Sequence, residues 1–223
     1  MDALTLIRET YAPLAGKALL DIGCGTGSLA RALTGEGAAV TGIDPGQDAL
    51  AKARKAVPAA RFETASAEAL PFPDGTFDGA VMLNSLHHVP DPAKALKEAA
   101  RVLRPGCRLV VVEPLASGTF FDALKPIEDE TEIRAAAQAA IAETVAQGRV
   151  SCEREVIVER HESFTDIEAF FARVTTVDPA RADAIRERRS EAEAAFAGAV
   201  EQGADGGFAL VQPLRIHVLV PVA

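Results

Sequence analysis

The apolar positions of this chain fall into short unbroken runs, separated by longer stretches in which apolar residues recur every three or four places. Leu19-Leu20-Asp21-Ile22, Ala39-Val40-Thr41-Gly42-Ile43, Gly79-Ala80-Val81-Met82-Leu83 and Leu109-Val110-Val111-Val112 are the unbroken runs. Runs of this kind mark strands covered on both faces, as in a parallel sheet. Helical patterns lie between them. One spans Ser28 to Thr34 and stops at Gly35 and Gly37, and a second spans Gln47 to Ala56. A third can be capped by Asp91 with Pro92 at its first position, and it ends before Pro105-Gly106. An amphipathic helix capped by Asp2 and ending before Pro13 puts Leu4, Ile7 and Tyr11 on one face. Arg61 to Thr64 reads as a short strand and Pro73-Asp74-Gly75 as a turn. Alternating strands and helices predict an α/β chain with a doubly wound, mostly parallel sheet.

After Pro114 the texture changes. Phe120 to Gly148 reads as helical and Ala-rich, Glu155 to Arg160 as a strand, Asp166 to Val174 and Pro179 to Gln202 as helices, and Gln212 to Val220 as a last strand. The expected organisation is an α/β core over residues 1–115, a largely helical insertion over 116–207 with one strand, and a final strand over 208–223 that completes the sheet. Phenylalanine concentrates in this half, at Phe120, Phe121, Phe164, Phe170, Phe171, Phe196 and Phe208. Phe120 and Phe121 either line a lid over an apolar small molecule or fill the core of this half.

The first candidate site is the loop Asp21-Ile22-Gly23-Cys24-Gly25-Thr26-Gly27-Ser28, a strand end, a glycine hinge and a helix start. Three missing Cβ atoms let a ligand lie on the backbone, facing the N–H groups of the helix start. The spacing is not that of a dinucleotide loop, because Ser28 stands where G-x-G-x-x-G needs its third glycine. No Lys or Arg lies between Ala18 and Ala30, so it is no P-loop either. The Asp21 carboxylate would repel a pyrophosphate and attract a cationic amine or sulfonium. Asp44, followed by Pro45, ends the second strand at about the spacing of the acid that holds a ribose diol.

These segments resemble motifs I and II of class I S-adenosylmethionine-dependent methyltransferases. Three later segments agree: Glu68 to Asp78 (EALPFPDGTFD), Leu86 to Pro92 (LHHVPDP) and Arg101 to Gly106 (RVLRPG). Their order is similar to the small-molecule branch that includes the ubiquinone and menaquinone C-methyltransferases, and it covers roughly the first half of the chain. The resemblance implies a Rossmann-like, seven-stranded sheet whose last strand is antiparallel. It also implies S-adenosyl-L-methionine as cofactor and S-adenosyl-L-homocysteine as product. It carries cofactor contacts to Asp21, Gly23, Cys24, Gly25, Gly27, Asp44, Pro45, Ser66, Ala67, Asn84 and Ser85. Ser66 departs from the pattern, since the family often has an acid there for the adenine amino group. Ser66 can accept one hydrogen bond, or Glu68 can substitute.

Net charge is -9, and no basic block offers a nucleic-acid surface. Asn84-Ser85-Leu86-His87 is not the N-P-P-Y motif of base methylation either. Cys24, Cys107 and Cys152 show no metal or redox spacing, and Met1 to Tyr11 has no secretory apolar run, so the expectation is a cytoplasmic protein with no membrane span and no metal. The expected partner is a small, apolar methyl acceptor, and the acidic helical insertion offers a homodimer contact. The acceptor and its nucleophilic atom are not written in the chain.

For catalysis, His87 and His88 follow the fourth strand at the carboxyl edge where open α/β sheets bind ligands. Either is a candidate base, with His88 preferred, or else one packs under the sheet and the other caps a loop. Glu113 ends the fifth strand and is either a base, an orienter of a substrate amine, or a carboxylate bonded to loop N–H groups. Two alternatives stand beside methyl transfer: an NAD-dependent oxidoreductase, against which Asp21 and the missing third glycine count, and a non-catalytic S-adenosylmethionine-binding protein.

Overall fold

The computed structural model describes residues 2–202 and 207–222. The first half alternates as its hydrophobic pattern requires: α1 (Ala3–Tyr11), β1 (Ala18–Ile22), α2 (Ser28–Thr34), β2 (Ala39–Asp44), α3 (Gln47–Ala56), β3 (Arg61–Thr64), β4 (Phe77–Leu83), a 3-10 turn (Leu86–His88), α4 (Pro92–Val102) and β5 (Leu103–Pro114). The caps are made as expected. Asp2 accepts from the Thr5 N–H at 2.8 Å and Asp91 from the Lys94 N–H at 3.0 Å. The second half holds α5 (Thr119–Leu124), α6 (Thr131–Ala146), β6 (Val150–Phe164), α7 (Ile167–Val177), α8 (Arg181–Glu187), α9 (Arg189–Ala199), β7 (Glu201–Gln202) and β8 (Phe208–Pro221).

Seven strands follow the order β3-β2-β1-β4-β5-β8-β6, and the short β7 pairs antiparallel with β8 off that path. β1 lies between β2 and β4, parallel to both, with Leu19↔Val40 on one side and Leu19↔Gly79 on the other. The strand order reverses there, which makes the carboxyl end of β1 the switch point of the sheet.

Several boundaries differ from expectation. The Arg104-Pro105-Gly106-Cys107 turn does not precede the fifth strand but bulges within it, between the pairs Phe77↔Leu103 and Gly79↔Arg108. The predicted helix from Phe120 to Gly148 is two helices, because Pro126 cannot continue α5. Asp129 then accepts from the Thr131 N–H at 3.0 Å to open α6. Pro179 to Gln202 likewise breaks into α8 and α9 and ends in β7. β6 runs further at both ends than Glu155 to Arg160, and β8 starts before Gln212. Residues 203–206, which the expected insertion includes, lie outside the described residues.

The chain divides into two compact units. Unit 1 holds the residues up to Glu113, Ala136–Val158 and those from Arg215; unit 2 holds Pro114–Ala135 and Glu159–Leu214. The core of unit 1 is aliphatic, with Leu20, Ile22, Met82, Leu86, Leu96 and Val111 almost fully buried. The core of unit 2 is phenyl-rich. Phe120, Phe164, Phe170, Phe171 and Phe196 pack together there, and Phe121 is 2% exposed. Phe120 therefore packs in this unit's interior, and Phe121 is buried with the Arg134 guanidinium over its ring.

Tyr11 fixes α1 to unit 1. Its hydroxyl donates to the Ala80 carbonyl at 2.5 Å and reaches the Arg108 carbonyl at 3.1 Å. The ring lies where Gly79 has no side chain, and a Cβ there would come within 2.3 Å of Tyr11 Cε1. Gly79→Ala should thus displace the ring and lower stability by about 1–3 kcal/mol. Urea denaturation checks this, and an unchanged midpoint would show that α1 docks without this close approach.

Candidate functional site

The site forms at the carboxyl ends of β1, β2 and β4, where a cleft encloses ≈ 270 Å³. Gly23, Asp44, Pro45, Ser66, Ala67, Asn84, Ser85 and His88 line it, with apolar walls from residues such as Ile43, Met82 and Val89. Ile22, Ile43, Met82, Val89 and Pro90 were not among the residues expected there. Their place at or just after strand ends was the available signal.

The three glycines of the loop do different things. All have positive φ, the region that excludes most side chains. At Gly23 a Cβ would sit 2.4 Å from the Ser85 Cβ, so the loop after β1 and the loop after β4 interlock through this missing atom. Ser85 then donates its hydroxyl to the Ile22 carbonyl at 2.7 Å. Gly27 backs onto Ala53 and Phe62, whereas a Cβ at Gly25 would meet nothing within 4 Å. Gly25 is therefore the glycine whose side faces open space. Cys24 is buried and sits against Gly42, where a Cβ would come within 2.8 Å of its sulfur. Burial raises the Cys24 thiol well above the ordinary thiol range, and Cys24 does not line the cleft.

Two side chains of the lining, Asp44 and Asn84, present acceptor oxygens. Asp44 takes the Gly25 N–H at 3.0 Å on one oxygen and the Gly46 N–H at 2.7 Å on the other. Each oxygen keeps a second lone pair for a ligand. Asn84 adopts φ 54°, anchored by its N–H to the Val112 carbonyl at 2.8 Å, and its Oδ1 is buried with no hydrogen-bond partner. Asp21 is 2% exposed below the glycine loop, outside the lining, and its Oδ2 also has no partner. Burial pushes the Asp21 carboxyl up to about 7, and the charge of Asp44 adds to that rise against the opposing hydrogen bond from the Ala30 backbone. Among the described residues no Lys or Arg lines the cleft. Ser66 and Glu68 are linked, with Ser66 Oγ 3.1 Å from Glu68 Oε2, so a carboxylate does stand beside the position where the resemblance leads one to look for an acid.

The structure separates the catalytic candidates. His88 is exposed and lines the cleft. His87 is buried, and its Nδ1 contacts Glu113 Oε2 at short range. The two imidazoles lie against each other with centroids 3.9 Å apart and planes tilted by 43°. Glu113 is 0% exposed and does not reach the cleft. Its Oε1 accepts the N–H groups of Ser85 (3.0 Å) and Leu86 (2.8 Å), and its Oε2 accepts that of His87 (3.3 Å). Among its expected alternatives, Glu113 is thus the carboxylate bonded to loop N–H groups.

A glycine hinge, acidic strand ends and a cleft at the switch point define an α/β protein with an open cleft at the carboxyl edge of a parallel sheet, where such folds bind ligands. Residues 20–111, under half of the chain, match the family model described as "Methyltransferase domain". The chain is similar to the ubiquinone biosynthesis O-methyltransferase of Thiobacillus denitrificans, 45% identical over 104 residues that cover 44% of each chain. It is also similar to the 27-O-demethylrifamycin SV methyltransferase of Amycolatopsis mediterranei, 44% identical over 104 residues, 44% of this chain and 38% of that one. The chain spans less than half the length of these relatives. The YcgJ protein of Bacillus subtilis has the same fold, with a TM-score of 0.68 at 20% identity over 99% of this chain and 98% of that one. Among the described residues no helix is long and apolar enough to cross a membrane.

The raised Asp21 carboxyl carries a sign. Its neutral form is favoured in the folded protein, so its contribution to stability is complete below the ordinary value of 3.8 and is lost as pH rises through about 7. A bound cation favours the ionised form and releases the proton. Affinity for a cationic ligand at this cleft should therefore rise about tenfold from pH 6 to pH 8. Calorimetry in buffers of differing ionisation enthalpy should show proton release at pH 6, and Asp21→Asn should abolish both effects.

Proposed function

We propose that this protein binds S-adenosyl-L-methionine in the cleft of unit 1 and transfers its methyl group to a small-molecule acceptor. The single observation that carries the reading is the polarity of the cleft. Asp44 and Asn84 Oδ1 offer acceptors and negative charge there, Asp21 lies buried below the glycine loop, and no Lys or Arg is in the lining among the described residues. That set suits a nucleoside bearing an ammonium and a sulfonium, and it repels a pyrophosphate. The family match over residues 20–111 favours this reading over an NAD-dependent oxidoreductase.

The residues divide the work as follows. Asp44 would accept both ribose hydroxyls on the lone pairs its backbone bonds leave open. Gly23 and Gly25 would let the ligand approach the backbone, and Asn84 Oδ1 would accept from the ammonium. Ser66, Ala67 and Glu68 would hold the adenine edge, with Ser66 relaying the Glu68 carboxylate. When bound, S-adenosylmethionine supplies an electrophilic methyl group on a sulfonium. The protein's part is then to align the acceptor and exclude water, which supplies much of the acceleration for such a displacement.

The two named relatives transfer to oxygen, and this supports a hydroxyl acceptor here. A hydroxyl must lose a proton as it attacks, and His88 is the lining imidazole placed to take it. His87, held by Glu113, would position His88 through the contact of the two tilted rings. The apolar walls of the cleft fit an acceptor with an apolar face. A cytoplasmic setting suits three cysteines that are all free thiols.

Calorimetric titration with S-adenosylmethionine, S-adenosylhomocysteine and NAD tests the reading. Binding of the first two and none of NAD is expected, and NAD alone would overturn it. Asp44→Ala should weaken S-adenosylmethionine binding by about 2 kcal/mol, and unchanged affinity would remove Asp44 from the site. His88→Ala should leave that affinity intact and lower turnover of phenolic acceptors about a hundredfold or more, measured as S-adenosylhomocysteine release. Binding without turnover on any acceptor would favour the non-catalytic alternative.

A further inference from the structure

We propose that unit 1 has a second binding position, for a carboxylate with an apolar tail, in the groove between the last turns of α4 and the start of β6. This goes beyond the methyl-transfer reading and does not depend on it.

The groove encloses ≈ 410 Å³. α4 ends at Val102, and the next residue, Leu103, pairs with Phe77 at the first residue of β4. The groove therefore lies towards the amino ends of these strands, at the other edge of the sheet from the cleft. Lys97 and Arg101 of α4 and Arg149, just before β6, line it, and among the described residues no Asp or Glu does. The chain as a whole carries 32 acids against 23 Lys and Arg, so this groove runs against its balance. Arg101 is already satisfied, since it bonds Glu98 at 2.7 and 2.8 Å and Asp74 at 2.8 Å. Among the described residues no carboxylate pairs with Lys97 or Arg149.

The end of α6 does not need the Arg149 side chain either. Backbone N–H groups close that helix, with Gly148 bonding the Val145 carbonyl at 2.9 Å and Arg149 the Thr144 carbonyl at 3.2 Å. Both free cations stand on fixed backbone. Leu96, beside Lys97, is fully buried, and the Arg149 carbonyl accepts the Val222 N–H at 3.0 Å. A groove with apolar walls and charges of one sign focuses its field on whatever enters, so this one draws an anion. Its apolar side sets the rest of the ligand. Leu96 and Val150 give it buried walls, and Val222, also in the lining, is 55% exposed. A bare anion would leave Val222 in water, and a neutral hydrocarbon would leave the cations unanswered. A fatty carboxylate answers both. Its head meets the Arg149 fork with parallel bonds and Lys97 as a point charge, while its chain covers Val222.

The test titrates the full chain with octanoate by calorimetry at constant ionic strength, with acetate and octanol as controls. Octanoate is expected to saturate, and the controls to bind at least about tenfold more weakly, since each lacks one half of the recognition. Decanoate should bind about tenfold more tightly than octanoate, the gain from two further buried methylenes. Arg149→Gln and Lys97→Gln should each weaken octanoate about fivefold or more. Both side chains are exposed and lie outside the lining of the cleft, so the loss places the ligand in this groove. Lys55→Gln removes the same charge from an exposed position on α3 and should leave octanoate binding unchanged. Val222→Ser should weaken octanoate severalfold and reduce the gain from the longer chain. Should Arg149→Gln fail to fold by its melting curve, Lys97→Gln decides. Absence of saturation, equal binding of octanol, no effect of chain length, or the same response to Lys55→Gln as to the groove variants would each overturn the proposal.

Discussion

The carboxylate of Glu113, buried at the end of β5, is the fixed point of unit 1's functional edge. A carboxylate with no exposure is tolerable only where donors surround it. Here the donors are the successive N–H groups of Ser85, Leu86 and His87, with the His87 ring beside them. The segment after β4 leaves its strand at Asn84 in a left-handed conformation and has no helix long enough to satisfy these groups itself. Glu113 gathers them. Ser85 can then settle over the missing Cβ of Gly23 and bond the Ile22 carbonyl, which ties the ends of β1, β4 and β5 together. The cleft, the tilt of His87 and the place of His88 all follow from that one interaction.

The two units use different chemistry for their interiors. Unit 1 packs aliphatic side chains on a parallel sheet and leaves its polar acceptors at the strand ends. Unit 2 packs phenyl rings and surrounds them with guanidiniums, as where Arg134 lies 4.6 Å from the centre of the Phe121 ring. A ring face attracts a cation even at low polarity, so a phenyl-rich interior can hold arginines that an aliphatic one would exclude.

Most of the first half was legible because its signals are local. Runs such as Gly79 to Leu83 can only be strands covered on both faces, and Asp2 and Asp91 announce the helices they cap within three residues. The glycine loop declared a close approach, but not that Gly23 makes room for Ser85 while Gly25 faces open space. That distinction depends on the loop after β4, where Ser85 lies 63 residues beyond Ile22. Glu113 was ambiguous for the same reason, since one acid at a strand end looks alike whether it faces a ligand or turns back to a neighbouring loop. β6 was foreseen only in its middle. Its flanks, including Ser151 to Glu155, are exposed and polar, and ion pairs from Arg108 to Glu153 and from Arg215 to Glu155 accompany them. The phenylalanines announced burial without saying against what.

Tyr11 has an optical consequence. It is the chain's one tyrosine, and there is no tryptophan. Near-ultraviolet absorption and emission above the phenylalanine band therefore come from a single ring, locked between Gly79 and the Ala80 carbonyl. The chromophore reports whether α1 stays docked on unit 1 and is silent about the phenyl-packed unit 2. Tyrosine emission and the far-ultraviolet helix signal would thus read different parts of one molecule. Any gap between the two melting curves would measure how independently the parts unfold.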